Sequence, residues 1–315
     1  MKKKYHSKFH HGIMFHRFHK NGKKGDGAGS LNQHEFEKIL KFIGLKNIIS
    51  PSKWIEKIKN KSFKKNDICI TLDDGLKSQY KFALPILEKY NLKAFWFVFS
   101  SVFRKDIDVN ELYNQVIHKR FKNQKKFQSI FLKKLDLNKN IFKSKNYLQF
   151  KNQNKKLFSF FSEEDIKYRY IRNHYLTRKK FEKIMNNLLN LKKRDFIKAK
   201  SLWMNVNDLK KINTFGHTIG MHSDSHNLNF KSLSPQKQKT EYVKNYRFIK
   251  KITKKKPISM SHPLNSYNKQ TLKILKKMRI VCGFRSTLYP KSKINISSLE
   301  FARNDPTHIL NFIRK

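Results

Sequence analysis

Short apolar runs alternate along this chain with stretches in which hydrophobic residues recur every three or four positions, the pattern of strands followed by amphipathic helices. Residues 11–15 form the first run, ending at His16. After a Gly-rich polar loop over 21–29, Phe36, Ile39, Leu40 and Ile43 fall at helical spacing behind Ser30 or Asn32 as the cap. Residues 68–72 predict the next strand, 78–90 a helix, and 94–99 another strand. Pro85 sits inside that helical stretch, where it removes a backbone donor and favours a kink.

The alternation resumes after residue 205. It predicts helices over 206–213, 235–253 and 270–278, the last capped by Asn268, and strands over 217–221, 258–261 and 280–285, with a final helical run over 306–313. Between 102 and 200, Phe, Leu and Tyr recur among Lys and Asn without strand punctuation, predicting a mostly helical insertion. Repeated β/α units on both sides of it predict a barrel-like α/β enzyme with a parallel sheet. The expected division is 1–100 for the first part of the barrel, 101–203 for the insertion and 204–315 for the second part. Because the insertion follows the strand at 94–99 directly, it is expected on the rim where barrel sites assemble.

Composition alters this picture little. At 315 residues, with 38% hydrophobic and 13% aromatic content, the chain can bury a full core. Its net charge of +49 raises nucleic acid or an anionic membrane as partners. Yet residues 101–200 hold little more than their share of the excess, and abundant Lys, Asn, Ile and Phe with scarce Gly and Pro is what AT-biased coding produces. No nucleic-acid motif accompanies the charge, so a specific nucleic-acid partner is not expected. Cys69 and Cys282 each lie in an apolar run and read as buried hydrophobes of a reducing compartment. The basic N-terminal segment lacks the apolar stretch of a secretory signal, and no 18-residue apolar run occurs. A cytoplasmic protein with peripheral contact to anionic membrane is the expectation.

Candidate chemistry concentrates in two segments, Thr71-Leu72-Asp73-Asp74-Gly75 and His222-Ser223-Asp224-Ser225-His226. Adjacent carboxylates and two imidazoles four residues apart suffice for a three-ligand metal site with one carboxylate left for proton transfer. Taken alone, DDG is also turn chemistry, and the histidine pair could be a helical surface pair. Here each segment follows a strand.

In this order, and with the flanks 215–221, 84–87 and 94–98, the two segments resemble the polysaccharide deacetylase family, the NodB-homology carbohydrate esterases. Leu72 stands where the family has an aromatic residue. The resemblance implies a distorted (β/α) barrel and hydrolysis of an N-acyl, chiefly N-acetyl, amide on an amino sugar, a glycan or a lipid-linked sugar. It implies Asp74, His222 and His226 as ligands of a divalent metal, zinc first, with Co2+, Mn2+ or Ni2+ as alternatives, and Asp73 as general base. Ser223 reads as a brace of the histidine loop, and Asp224 is left out of the ligand set. Residues 261–268 resemble the family's third motif, with His262 and Leu264 in place of two tyrosines and Asn265 in place of glycine. The Leu264 N–H is then the oxyanion donor, with Pro263 beside it against the substrate. His16 resembles a histidine at the first strand's end and is a candidate to line the site. Arg303 resembles a C-terminal arginine that orients the base or binds substrate. His308 is the candidate general acid, although no clear counterpart of the family's late histidine motif is present. The rival reading is a catalytically inactive glycan- or polyanion-binding protein on the same fold.

Overall fold

The computed structural model describes residues 5, 7–23, 27, 29–104, 107–121, 123–135, 137–157, 161–286 and 296–314. Their strands are β1 (His11–Phe15), β2 (Phe18–His19), β3 (Leu31–Asn32), β4 (Ile68–Asp73), β5 (Phe95–Val98), β6 (Thr218–Met221), β7 (Ser259–Ser261), β8 (Cys282–Phe284) and β9 (Arg303–Asn304). Seven of them form one sheet in the order β8-β7-β6-β5-β4-β1-β9, with every pairing parallel, and β2 and β3 make a separate short pair. The two ends of the large sheet meet: Phe284 bridges Phe301 in parallel, and Gly283 exchanges backbone hydrogen bonds with Ser298 and Phe301. The result is a nearly closed (β/α) barrel, as the alternation predicts. At the seam a Cβ on Gly283 would lie 2.4 Å from the Leu299 carbonyl oxygen, so closure there requires glycine.

β1 and β4 are buried along their whole length, as parallel strands covered on both faces must be. Period-2 alternation sorts the side chains. Ile68, Ile70, Leu72, Trp96, Val98, Ile219, Met221 and Met260 pack outward against the helices, while Cys69, Phe95, Phe97, Cys282 and Phe284 form an inner cluster with Trp54 and Phe301. Leu72 is fully buried in the outer layer, which explains why an aliphatic side chain serves there.

The helices Gln33–Ile43, Val206–Thr214 and Lys269–Lys277 carry capping boxes built on Asn32, Asn205 and Asn268. Over 78–90 the chain departs from the single helix predicted. A wide π turn, Gln79–Ala83, precedes the helix Leu84–Lys89, and the Leu84 N–H reaches back to the Gln79 carbonyl, so the donor missing at Pro85 falls at a helix start. β9 was not foreseen; it is too short to show a period.

By contact the chain divides into two compact units, one of residues 1–25, 29–107 and 200–315 and one of residues 26–28 and 108–199. The second unit is helical, including Val109–Arg120, Gln124–Lys134, Lys145–Leu157 and Arg178–Leu188. It has its own core, in which Tyr113, Phe127, Phe131, Ile166, Phe181 and Met185 meet. No helix among the described residues is long and apolar enough to cross a membrane.

Candidate active site

β4 hands its two acids to different partners. Cys69, Thr71 and Asp73 share the inner face of the strand, so Asp73 ends that row almost fully buried. Arg303 grips it with both forks, Nη1 to Oδ1 at 2.7 Å and Nη2 to Oδ2 at 2.8 Å. The same guanidinium, itself fully buried, donates to Thr71 Oγ1, Ser261 Oγ and the Arg285 carbonyl, while Ser261 Oγ donates to Asp73 Oδ2 at 3.0 Å. Burial alone would raise the Asp73 pKa. The Arg303 charge, helped by His222 and His16, outweighs it and holds the carboxyl below the usual range. The arginine stem crosses β1 at Gly12, where a Cβ would stand 3.0 Å from Arg303 Cγ.

Asp74 leaves the strand with φ +77°, a left-handed conformation in which Asp is several-fold enriched over most residues. Its Oδ1 is buried and makes no hydrogen bond. His222 Nε2 and His226 Nε2 stand 3.4 and 3.5 Å from that oxygen, and His16 Nε2 is 4.0 Å from Oδ2. Burial again opposes ionisation, and the surrounding imidazoles override it, so the Asp74 carboxyl stays ionised well below its normal range.

His222 has its tautomer set from behind. Its Nδ1 faces the Ser261 carbonyl at 2.8 Å, and a carbonyl only accepts, so Nδ1 carries hydrogen; against the pull of burial, Asp74 and Asp73 raise the ring's pKa, and a cation that displaces the Nε2 proton would meet a lone pair there. Asn245 fixes the backbone below it, accepting from the His222 N–H and donating to the Val98 carbonyl. In the loop that follows, Ser223 and His226 both take positive φ, the His226 N–H donates to Ser223 Oγ at 3.2 Å, and the His226 ring stacks on Phe99. Asp224 is occupied elsewhere: Ser100 Oγ and a two-pronged Arg104 hold its carboxylate.

One carboxylate oxygen and two imidazole nitrogens, with all three atoms within 4.8 Å of one another, make the candidate metal cluster among the described residues. A charged oxygen buried without a hydrogen bond is the kind of group that requires an explanation, and a cation between it and the two imidazoles supplies one. The donor set suits zinc with an open fourth position.

Residues 60–124 and 179–283 match the family model for polysaccharide deacetylase. The chain belongs to the polysaccharide deacetylase family. Its members are hydrolases of N-acetyl amide bonds. Solved structures share the fold of this family member at low identity. The deacetylase PplD of Streptococcus pyogenes, in complex with acetate, is 14% identical, with 98% of each chain covered and a TM-score of 0.57. A de-N-acetylase from Aggregatibacter actinomycetemcomitans is 13% identical, over 96% of this chain and 99% of its own, with a TM-score of 0.56. IcaB from Ammonifex degensii is 12% identical over 99% and 97%, with a TM-score of 0.55. Among curated proteins no sequence match is found.

In this family member the third motif follows β7. Leu264 and Asn265 both adopt positive φ, and Leu264 is 42% exposed, while Pro263 is buried. His262 is fully buried, stacks on Tyr267 and meets the Leu299 carbonyl through Nε2; burial pushes its pKa down to about 3, with only partial relief from that hydrogen bond. It is thus a packed neutral ring. His308 lies exposed on the helix Pro306–Arg314, not among the buried side chains around Asp74, a position that does not suit the expected acid. Sequence reasoning passed over Ser261, Thr71 and Asn245. Asn245 left a signal: it falls on the same helical stripe as Tyr242, Ile249 and Ile252, a polar residue on a core-facing row.

Proposed function

We propose that this chain is a divalent-metal-dependent hydrolase that removes an N-acyl group, acetyl in the first instance, from an amino sugar of a glycan or lipid-linked glycan precursor. The observation that carries the reading is the unbonded, buried Oδ1 of Asp74 facing two imidazole nitrogens, next to a second aspartate locked onto Arg303. Asp74, His222 and His226 would hold the ion, zinc by the donor set, with Co2+, Mn2+ or Ni2+ as alternatives. When bound, such an ion supplies Lewis-acid polarisation of the acyl carbonyl and acidifies water.

The chain's own residues do the rest. Asp73 takes the proton of the attacking water, with Arg303 and Ser261 keeping it ionised and aimed. The Leu264 N–H donates to the oxygen on which negative charge develops. His16, about a third exposed beside Asp74, and Pro263 form the wall against which the acyl group is placed. Acetate, the ligand of the Streptococcus pyogenes neighbour, is the product such a reaction releases.

The test is elemental analysis of the purified protein followed by a screen of acylated amino sugars, free and lipid-linked, for release of acetate or formate. The wild type is expected to carry a divalent metal and to release acid. Asp74→Ala and His222→Ala are expected to fold, as judged by circular dichroism, and to lose both. Folded variants that keep the metal and full activity would sink the proposal.

A further inference from the structure

At the end of β4 opposite to Asp73 the barrel carries a second concave site with different chemistry. It is a cleft of about 550 Å³ lined by Lys46, Lys53, Lys57, Lys64, Lys65 and Asp67, with Asn47, Ile49 and Asn66. Asp67 immediately precedes Ile68, the first residue of the six-residue strand that ends in Asp73, so the cleft lies roughly 20 Å from the catalytic acids at about 3.3 Å per residue. It is a separate site.

Five ammonium groups and one carboxylate line the cleft, a net of +4. The one carboxylate is already engaged. Asp67 is buried, pairs with Lys57 Nζ at 3.1 Å and accepts from the Lys64 backbone N–H at 2.6 Å, while Lys57 also donates to the Ser62 carbonyl. Among the described residues no carboxylate pairs with Lys46, Lys53, Lys64 or Lys65, whose side chains are exposed. Lys53 moreover stands in the first turn of the helix Pro51–Asn60, which has no acidic residue there to meet the helix dipole. Four uncompensated cations around one hollow repel one another, and an anion that enters relieves the repulsion.

We infer that this cleft binds a compact polyanion carrying two linked phosphate groups. Lysine is a point-charge donor to phosphate. A diphosphate brings about three to four negative charges, matching the four unpaired ammonium groups. The volume falls in the range of small-molecule sites and admits a phosphate-bearing headgroup. The occupant is a soluble diphosphate or the headgroup of an anionic lipid.

Pyrophosphate titrated calorimetrically into the full-length protein, first dialysed against EDTA so that metal chelation does not contribute, tests the inference. Two triple variants separate the cleft from general basicity. Lys46→Gln/Lys53→Gln/Lys64→Gln removes cleft charge and leaves the Lys57–Asp67 pair, and Lys237→Gln/Lys239→Gln/Lys250→Gln removes equal charge from exposed positions of the helix Pro235–Thr253. Saturable one-site binding to the wild type and to the helix variant, weakened at least tenfold in the cleft variant, is expected. Equal affinity in the wild type and the cleft variant, or an equal loss in the helix variant, overturns the inference. Given that loss, flotation with phosphatidylcholine vesicles containing diacylglycerol pyrophosphate, a lipid whose headgroup carries two linked phosphates, identifies the source. Capture lost only in the cleft variant assigns the cleft to lipid headgroups, and capture equal in all three proteins assigns it to a soluble diphosphate.

Discussion

Replacing Arg303 with methionine exposes the electrostatic design of the site most directly. In the wild type the guanidinium is fully buried, makes both fork contacts to Asp73 and fills three further acceptors, Thr71 Oγ1, Ser261 Oγ and the Arg285 carbonyl. Removing it strands the Asp73 carboxylate inside the barrel, and breaking a buried pair from one side costs about 3–5 kcal/mol. Adding Asp73→Asn removes the stranded charge, so the double variant should regain about 2 kcal/mol or more of that loss. The sign of the pH dependence is diagnostic. With Arg303 present the folded pKa of Asp73 is depressed, so its contribution is present above the unfolded pKa of about 3.9 and is lost as pH falls through the folded value. With Arg303 gone, burial raises the folded pKa above 3.9, and the destabilisation is relieved as pH falls through it. Urea unfolding of EDTA-treated protein from pH 7 to pH 5 should show Arg303→Met gaining stability while the wild type does not. A cost near zero at pH 7, additive losses in the double variant, or parallel pH profiles would refute the reasoning.

The remaining expectations are briefer. Asn245→Ala leaves the buried His222 N–H and Val98 carbonyl unpaired; it should cost about 2–4 kcal/mol in urea unfolding and weaken metal affinity about 10–100-fold by competition with a chelator. Gly283→Ala drives a methyl group into the Leu299 backbone at the barrel seam, and a loss of about 3 kcal/mol or more is expected in thermal unfolding; an unchanged Tm would mean that the seam is not closed as described.

Most of the barrel could be read from the chain because its strands are buried on both faces and its helices on one, and each condition leaves a different period. The runs at 11–15 and 68–72, the stripe Phe36, Ile39, Leu40, Ile43 and the caps Asn32 and Asn268 all appear where the pattern puts them. What escaped has a physical reason. β9 spans two residues, too few for alternation, and although Arg303 was named by resemblance, its full burial was not foreseen, because it depends on Gly12 making room and Asp73 neutralising the charge, a long-range condition that no local window contains. The π turn at Gln79–Ala83 leaves no mark beyond Pro85. Around the site, local motifs announced Asp73, Asp74, His222 and His226, and resemblance pointed to Arg303, whereas Ser261 and Asn245, which bond to Asp73 and to the His222 backbone, come from elements joined only by folding.

That division of labour explains why two adjacent aspartates can serve different ends. One backbone step separates them, but Asp73 closes a strand and meets Arg303, while Asp74 begins a left-handed turn and meets two imidazoles. Arg303 cancels the charge of Asp73, which leaves Asp74 as the uncompensated anion among these five residues, since His222 and His226 add no charge when they act as neutral ligands. A dication held by Asp74 and the two histidines would therefore leave the site with a net charge of +1. Without Arg303 it would be neutral. Acyl transfer to water builds negative charge on the acyl oxygen, and a low-dielectric pocket of positive net charge stabilises that charge. Under the proposed function Arg303 would therefore do more than aim a base: by neutralising Asp73 it would tilt the charge of the whole site toward the transition state.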